Sequence, residues 1–200
     1  MNIFLIFIIV LFFLLISKNK IEYYSCNLPK YLPKIWNTNK NNIKRYNNCY
    51  AYAMRDLKLN RKKKPQPGEL CGLKKINKKQ YQNRNVCDNF YNRIKCDYSG
   101  DNKISNFFKI NENDKCPCNY YKIALFIDDR KNYEDYHFYR QDDNKYWSHK
   151  SGRNKATNLD ASNNIIIHPI KSNKKYKNHN YNKLCGYYCK KYFFNENINK

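Results

Sequence analysis

The hydrophobic positions of the chain fall into a few segments that are separated by long polar stretches. The first segment, IFLIFIIVLFFLLI, runs without a break over positions 3–16. This length suits the hydrophobic region of a signal peptide and is short for a transmembrane helix, which needs about twenty residues. We therefore predict a hydrophobic leader over residues 1–17, either a signal peptide or a membrane anchor.

A polar stretch follows the leader. Residues 18–45 contain two prolines and the run NTNKNN, a composition typical of loosely structured segments. We predict a polar tether over this range. Trp36 is the residue in it that could dock on the folded domain, because a tryptophan ring gains much from burial.

The first helical pattern begins at a cysteine. In CYAYAMRDLK the apolar residues recur at spacings of three and four, which predicts a helix from Cys49 to about Lys58. Asn47 and Asn48 precede it, and asparagine is a favoured N-cap. The cysteine is therefore expected at the N-terminal end of a helix.

A break rich in proline, glycine and cysteine follows the helix. The run KKKPQPGELCG has two prolines and a glycine next to them, which neither a helix interior nor a central strand accommodates. The helical signal over 75–83 is weak. Residues from about 60 to 118 are therefore predicted to form a disulfide-rich insertion.

The second half of the chain has the pattern of strands. YYKIALFIDD, at 120–129, is a continuous apolar run typical of a buried strand. A hairpin is predicted at 135–150, where DYHFYRQDDNKYWSHK alternates around a polar break. A further strand is predicted at 163–170, from NNIIIHPI. The last ordered piece is predicted at 181–194. We predict a single α+β domain over 46–194, with the cysteine-bearing helix packed on an antiparallel meander.

The chain has nine cysteines, an odd number. In an oxidising compartment we expect eight of them to pair and one to remain. The disulfide candidates are Cys26, Cys71, Cys87, Cys96, Cys116, Cys118, Cys185 and Cys189. The last four could instead bind zinc, but zinc sites more often space their cysteine pairs by two residues, so we predict no metal and no other cofactor. The cysteines favour a domain that is secreted or membrane-anchored and faces a lumenal or extracellular compartment.

The formal net charge of +23 changes this picture little. The positive charges are scattered, and the densest run, NRKKKP at 60–65, is short for a nucleic-acid-binding arm. The abundant Lys, Asn, Ile, Tyr and Phe share A/T-rich codons, so the composition also reflects the genome. We predict a general attraction to anionic surfaces that weakens with salt, and no nucleic-acid partner.

The candidate chemistry lies at Cys49 and at two histidines of the hairpin. A cysteine attacks as thiolate, which a helix N-terminus and a neighbouring histidine both favour. If the hairpin loop is the three residues 142–144, His137 faces His149 and the two rings can form a hydrogen bond. With another register, Asp135 or Asp142 could orient His137 instead.

Three short motifs carry a resemblance to a known family. NNCYAYA, DYHFYRQ and YWSHK resemble, in order and setting, the papain-like-fold cysteine hydrolases of the NlpC/P60 type. The resemblance implies Cys49 as nucleophile, His137 as general base and acid, and His149 as the residue that orients His137. It also implies a papain-like fold and an amide or ester substrate, such as a peptide.

The resemblance leaves the oxyanion hole open. The backbone N–H of Cys49 could supply one donor, and Tyr46, Asn47 or Asn48 the second. The function predicted is that of a cysteine-dependent hydrolase or acyltransferase. The alternative is a non-enzymatic, disulfide-stapled basic module that binds an anionic or protein partner.

Overall fold

The computed structural model describes residues 26–99 and 105–193. The predicted leader lies outside the described residues. Within them, no helix has the length and apolar character needed to cross a membrane. The helices are α1 (Pro33–Asn37), α2 (Ile43–Tyr46), α3 (Cys49–Met54), α4 (Lys78–Tyr81) and α5 (Val86–Asp97), with a 3₁₀ turn at Lys40–Asn42.

Short helices pack on one six-stranded antiparallel sheet, so the α+β class is confirmed. The strands are β1 (Phe107–Ile110), β2 (Tyr120–Asp128), β3 (Asp135–Gln141), β4 (Trp147–Lys150), β5 (Ala156–Thr157) and β6 (Lys183–Lys191). Their spatial order is β1-β6-β2-β3-β4-β5. The sheet is therefore not the predicted meander, because β6 returns to lie between β1 and β2.

The continuous apolar run of β2 is explained by its position. This strand has a neighbour on each side and is covered on both faces, so nearly all of its residues are buried. On one face, Val86, Phe90 and Ile94 of α5 join the core, at the spacing of four that puts them on one side of the helix. On the other face, Phe126 packs with Ile166 from the loop after β5.

The segment before α3 is docked on the domain and is not the predicted loose tether. Trp36 is buried and meets the ring of Tyr52 edge to face, with centroids 4.9 Å apart. Asn37 exchanges two hydrogen bonds with the backbone of Ala156 in β5. The predicted docking of Trp36 is confirmed, and the residues around Trp36 pack on the domain as well.

Four disulfides connect residues of the insertion to each other or to the rest of the chain. The pairs are Cys26–Cys118, Cys71–Cys96, Cys87–Cys185 and Cys116–Cys189. The four candidate zinc ligands are thus all disulfide-bonded. Four bridges in one small domain are typical of an extracellular, oxidising compartment.

The predicted hairpin of β3 and β4 is confirmed, but its register is not. Tyr139 pairs with His149, and the connection is 142–146 instead of 142–144. The pairing is thereby shifted by two residues. Because side chains alternate with a period of two, this shift keeps His137 and His149 on one face of the sheet.

The strand predicted over 163–170 is wrong. The segment takes part in one isolated bridge, at Ile165, and otherwise forms turns. The carboxylate of Asp160 accepts the backbone N–H groups of Ser162 and Asn164. These local hydrogen bonds compete with strand pairing, which the apolar run alone would favour.

Candidate active site

Cys49 is the first residue of α3, and Asn48 is the N-cap. The side-chain oxygen of Asn48 accepts the backbone N–H of Ala51 at 3.1 Å. This confirms one of the two predicted caps. The helix is shorter than predicted and ends before Arg55, which has a left-handed backbone with φ of 56°.

The Cys49 thiol is the free cysteine of the chain and is buried, with 5% of its surface exposed. Its Sγ donates to the carbonyl of Tyr136 at 3.8 Å, and the backbone N–H of Phe138 is directed at the sulfur. These two residues flank His137 in β3. The thiol therefore lies against the strand backbone at His137, and its hydrogen bond goes to that backbone and not to the imidazole.

Burial determines the protonation of the thiol. It raises the pKa of Cys49 to about 12, and the negative charge of Asp135 adds to the shift. The backbone N–H groups of Phe138 and Tyr50 act in the opposite direction. The thiol is neutral near pH 7, and not the thiolate that a helix N-terminus was expected to favour, because desolvation outweighs the effect of a short helix.

The two predicted histidines meet. His137 Nε2 and His149 Nδ1 are 2.7 Å apart, and both rings are buried. His149 Nε2 lies 2.9 Å from the carbonyl oxygen of Leu159. A carbonyl can only accept, so His149 carries its proton on Nε2.

The protonation of the second ring follows from the first. Burial lowers the pKa of His149 to about 4, so its Nδ1 is bare and accepts the Nε2–H of His137. Burial and the neighbouring His149 also lower the pKa of His137 well below its usual range. His137 is then neutral with its proton on Nε2, and its Nδ1 holds a free lone pair.

One cavity of about 510 Å³ adjoins both the thiol and the first histidine. Cys49 and His137 line it, and His149 lies behind His137. The ring of Tyr181 stacks on His137, with centroids 4.9 Å apart, and lines the same cavity. The arrangement holds the His137 ring between an aromatic face and its hydrogen-bond partner.

The predicted oxyanion donors differ in their positions. Asn48 lines the cavity, but its amide nitrogen donates to the carbonyl of Pro65 at 2.9 Å. The amide of Asn47 connects Ile43 to Lys58. Tyr46 is not among the residues that line this cavity.

The two aspartates considered as orienting residues have other partners. Asp142 forms a buried ion pair with Arg140, with 2.7 Å between Nη2 and Oδ1. Asp135 accepts the hydroxyl of Tyr181 at 2.8 Å. His149 is therefore the group that contacts His137 through a hydrogen bond.

Several cavity residues were not identified from the sequence. Gln66, from the insertion, lines the cavity, and its Oε1 accepts the hydroxyl of Tyr136 at 3.0 Å. His179 also lines it and stacks on Tyr181. No local pattern could have found them, because each comes from an irregular segment that only the fold brings to the site.

The raised pKa predicts how the thiol reacts with a small electrophile. We expect the rate of Cys49 alkylation by iodoacetamide to rise about tenfold per pH unit from pH 7 to pH 10, because the thiolate fraction keeps rising below a pKa of about 12. Mass spectrometry of the labelled protein measures the rate, with Cys49→Ala as the unlabelled control. A rate already constant above pH 7 would contradict a neutral resting thiol.

Over 140 residues the chain is 35% identical to "Insoluble matrix shell protein 1" of Ruditapes philippinarum, and the alignment covers 70% of this chain and 78% of that protein. No family model matches the chain. No solved structure matches it either.

Proposed function

This chain belongs to the family of insoluble matrix shell protein 1, and from that premise we propose that it is an extracellular matrix protein whose folded domain carries a cysteine-dependent acyl-transfer site. The nucleophile is Cys49, the base is His137, and His149 orients the base. The substrate class is an amide or an ester. The reaction is hydrolysis or transfer of the acyl group.

The observation that carries the proposal is the chain of hydrogen bonds behind His137. The Leu159 carbonyl fixes the tautomer of His149, and His149 in turn fixes that of His137. This leaves a bare Nδ1 on a neutral imidazole beside the cavity that Cys49 also lines. A neutral imidazole with one nitrogen held by a second group is the arrangement needed for a general base.

The burial of the thiol sets the order of the steps. Because the resting thiol and imidazole are both neutral, the proton moves from Sγ to His137 Nδ1 as Sγ attacks the carbonyl carbon. Before this transfer, the thiol exchanges its hydrogen bond with the carbonyl of Tyr136 for one with His137 Nδ1. The tetrahedral oxyanion collapses to a thioester when His137 returns the proton to the leaving group. Water, deprotonated by His137, then releases the acid.

The papain-like fold belongs to the same proposal. In its support, the helix that bears Cys49 packs against β3 and β4, the two strands that carry the histidines. The nucleophile and its base therefore come from a helix and an adjacent antiparallel sheet. The insertion over 60–118 departs from the resemblance, and it contributes both β1 and part of the cavity wall.

Trapping the acyl-enzyme tests the proposal directly. The protein is mixed with p-nitrophenyl acetate, quenched in acid, and digested for mass spectrometry. We expect an acetyl group on Cys49 and its loss in hydroxylamine, which cleaves thioesters. Acetylation confined to lysines would remove the proposed function.

Gln66 is our candidate for the second oxyanion donor. Its Oε1 accepts the hydroxyl of Tyr136, and among the described residues its amide nitrogen has only a long contact of 3.5 Å with the carbonyl of Lys64. We expect Gln66→Ala to lower the acylation rate by about 10²-fold, the usual cost of losing one such donor. The rate of p-nitrophenol release measures it, with Gln82→Ala as an exposed control. An unchanged acylation rate in Gln66→Ala would mean that another group is the second oxyanion donor.

The non-enzymatic module is the second candidate. The observation that favours it is the neutral, buried thiol, which a purely structural cysteine would also have. The name of the relative describes a matrix protein. If Cys49→Ala leaves every measured property of the protein unchanged, this second function is the correct one.

A further inference from the structure

We propose that the cavity at Cys49 binds acidic peptides, with the carboxylates of the peptide held by the cationic side chains that line it. The inference rests on the proposed function for the chemistry at Cys49, but the binding can be measured without it. Four cationic side chains line the cavity, and they outnumber the carboxylates that line it, of which there are two. The cations are Lys64, Lys75, Lys78 and Arg153, and the carboxylates are Glu134 and Asp135.

The cations come from three separate segments of the chain. Lys75 and Lys78 are exposed and stand on either side of Ile76, which is buried in the core and fixes the backbone there. In the turn at Gly152, a Cβ placed on that glycine would lie 3.4 Å from the Lys64 ammonium. Lys64 therefore reaches over the turn that also carries Arg153.

These cations are not neutralised by the protein. Among the described residues, no ion pair within 4.0 Å joins any of the four to a carboxylate. Positive side chains around a concave site focus their field on it and raise the local concentration of anions. The carboxylates of a ligand would thus form the ion pairs that these four cations lack within the described residues.

The two carboxylates of the cavity differ in what they offer a ligand. Asp135 is already engaged, because it accepts the Tyr181 hydroxyl and lies 3.8 Å from His179 Nε2. Glu134 Oε2 is buried and has no hydrogen-bond partner among the described residues. An unpartnered acceptor calls for an N–H, which the backbone of a peptide supplies. Together the cations and this oxygen fit a peptide with acidic side chains.

The test measures binding by the Cys49→Ala protein, so that no turnover occurs. Fluorescent oligo-aspartate, oligo-serine and oligo-lysine peptides are titrated and followed by anisotropy at about 0.15 M salt, where attraction between distant exposed charges is largely screened. We expect oligo-aspartate to bind at least about tenfold more tightly than oligo-serine, and oligo-lysine not to bind. Preferential binding of oligo-lysine, through Glu134, would overturn the proposal.

Neighbouring lysines provide a matched control. Lys75→Glu/Lys78→Glu should weaken oligo-aspartate binding about tenfold or more. Lys74→Glu/Lys79→Glu changes the net charge equally at exposed residues that do not line the cavity, and should change the affinity less than about twofold. Equal losses in the two variants would mean attraction to the whole surface and would overturn the proposed site.

The outcomes separate this inference from the proposed function. If oligo-aspartate binds as expected but Cys49 is never acylated, the binding site stands and the acyl-transfer function fails. If Cys49 is acylated but an acidic ester substrate reacts no faster than a neutral one, the acyl-transfer function stands and the preference for acidic peptides fails.

Discussion

Replacing His137 by alanine should slow the acylation of Cys49 by about 10³-fold, the usual contribution of a positioned general base. The thiol of Cys49 is neutral in the resting protein because its burial raises its pKa to about 12. Without an imidazole Nδ1 to take the proton, attack has to wait for the rare thiolate. Stopped-flow release of p-nitrophenol from p-nitrophenyl acetate measures the rate.

The control for this variant is another histidine of the same chain. His168 is exposed and does not line the cavity, so His168→Ala should react like the unmodified protein. At high pH the rates of His137→Ala and the unmodified protein should converge, because hydroxide then supplies the thiolate. A His137→Ala protein that reacts at the normal rate at pH 7 would exclude the triad.

Replacing His149 by alanine should change the pH profile of Cys49 acylation more than it changes the fold. It holds His137 in the tautomer that leaves Nδ1 bare, through the 2.7 Å hydrogen bond. Loss of this hydrogen bond in His149→Ala removes both the tautomer control and a neighbour that lowers the pKa of His137. The acid limb of the acylation rate should therefore move to higher pH, a change that a merely structural residue would not cause.

Arg140→Met should lower the free energy of unfolding by about 3–5 kcal/mol, the cost of leaving a buried charge without its partner. Arg140 is buried and pairs with Asp142, whose other carboxylate oxygen accepts the hydroxyl of Ser148 at 2.5 Å. The guanidinium also donates to the backbone carbonyl of Tyr52 in α3. Urea unfolding with the disulfides intact measures the change.

Two further variants distinguish this effect from a general loss of charge. Lys58 forms an exposed ion pair with Asp56, and Lys58→Met should cost less than about 1 kcal/mol. The double variant Arg140→Met/Asp142→Asn should recover part of the loss, because the uncompensated carboxylate is gone. If Arg140→Met costs no more than Lys58→Met, the pair does not stabilise the fold as argued.

The hairpin shows which part of the site could be predicted. Alternation along DYHFYRQ and YWSHK requires only that apolar residues meet the core, so it fixes the face of His137 and of His149. It does not fix the loop length, since shifts of two residues conserve every face. The predicted loop of 142–144 sets His137 directly opposite His149, whereas the observed loop of 142–146 sets it diagonally, and in the observed register the two rings still lie 2.7 Å apart.

The protonation of Cys49 could not be predicted in the same way. A helix N-terminus and nearby positive charge are visible in the sequence, and both favour the thiolate. The degree of burial is not visible, and here it is the larger effect. The tautomers of His149 and His137 could not be predicted either. They are fixed by a hydrogen bond to the backbone carbonyl of Leu159, and every residue has such a carbonyl.

By itself the sequence determined the α+β class, the strand at β2, the hairpin, the capped helix start and the fact that one cysteine is left out of the disulfides. These follow from local periodicity, from capping and from the parity of a count, and none of them needs a distant residue. The tertiary structure alone decided that β6 lies between β1 and β2 and that Gln66 and His179 reach the cavity. Those positions depend on contacts between segments far apart in the chain, whose free energy is set by packing and not by the local sequence.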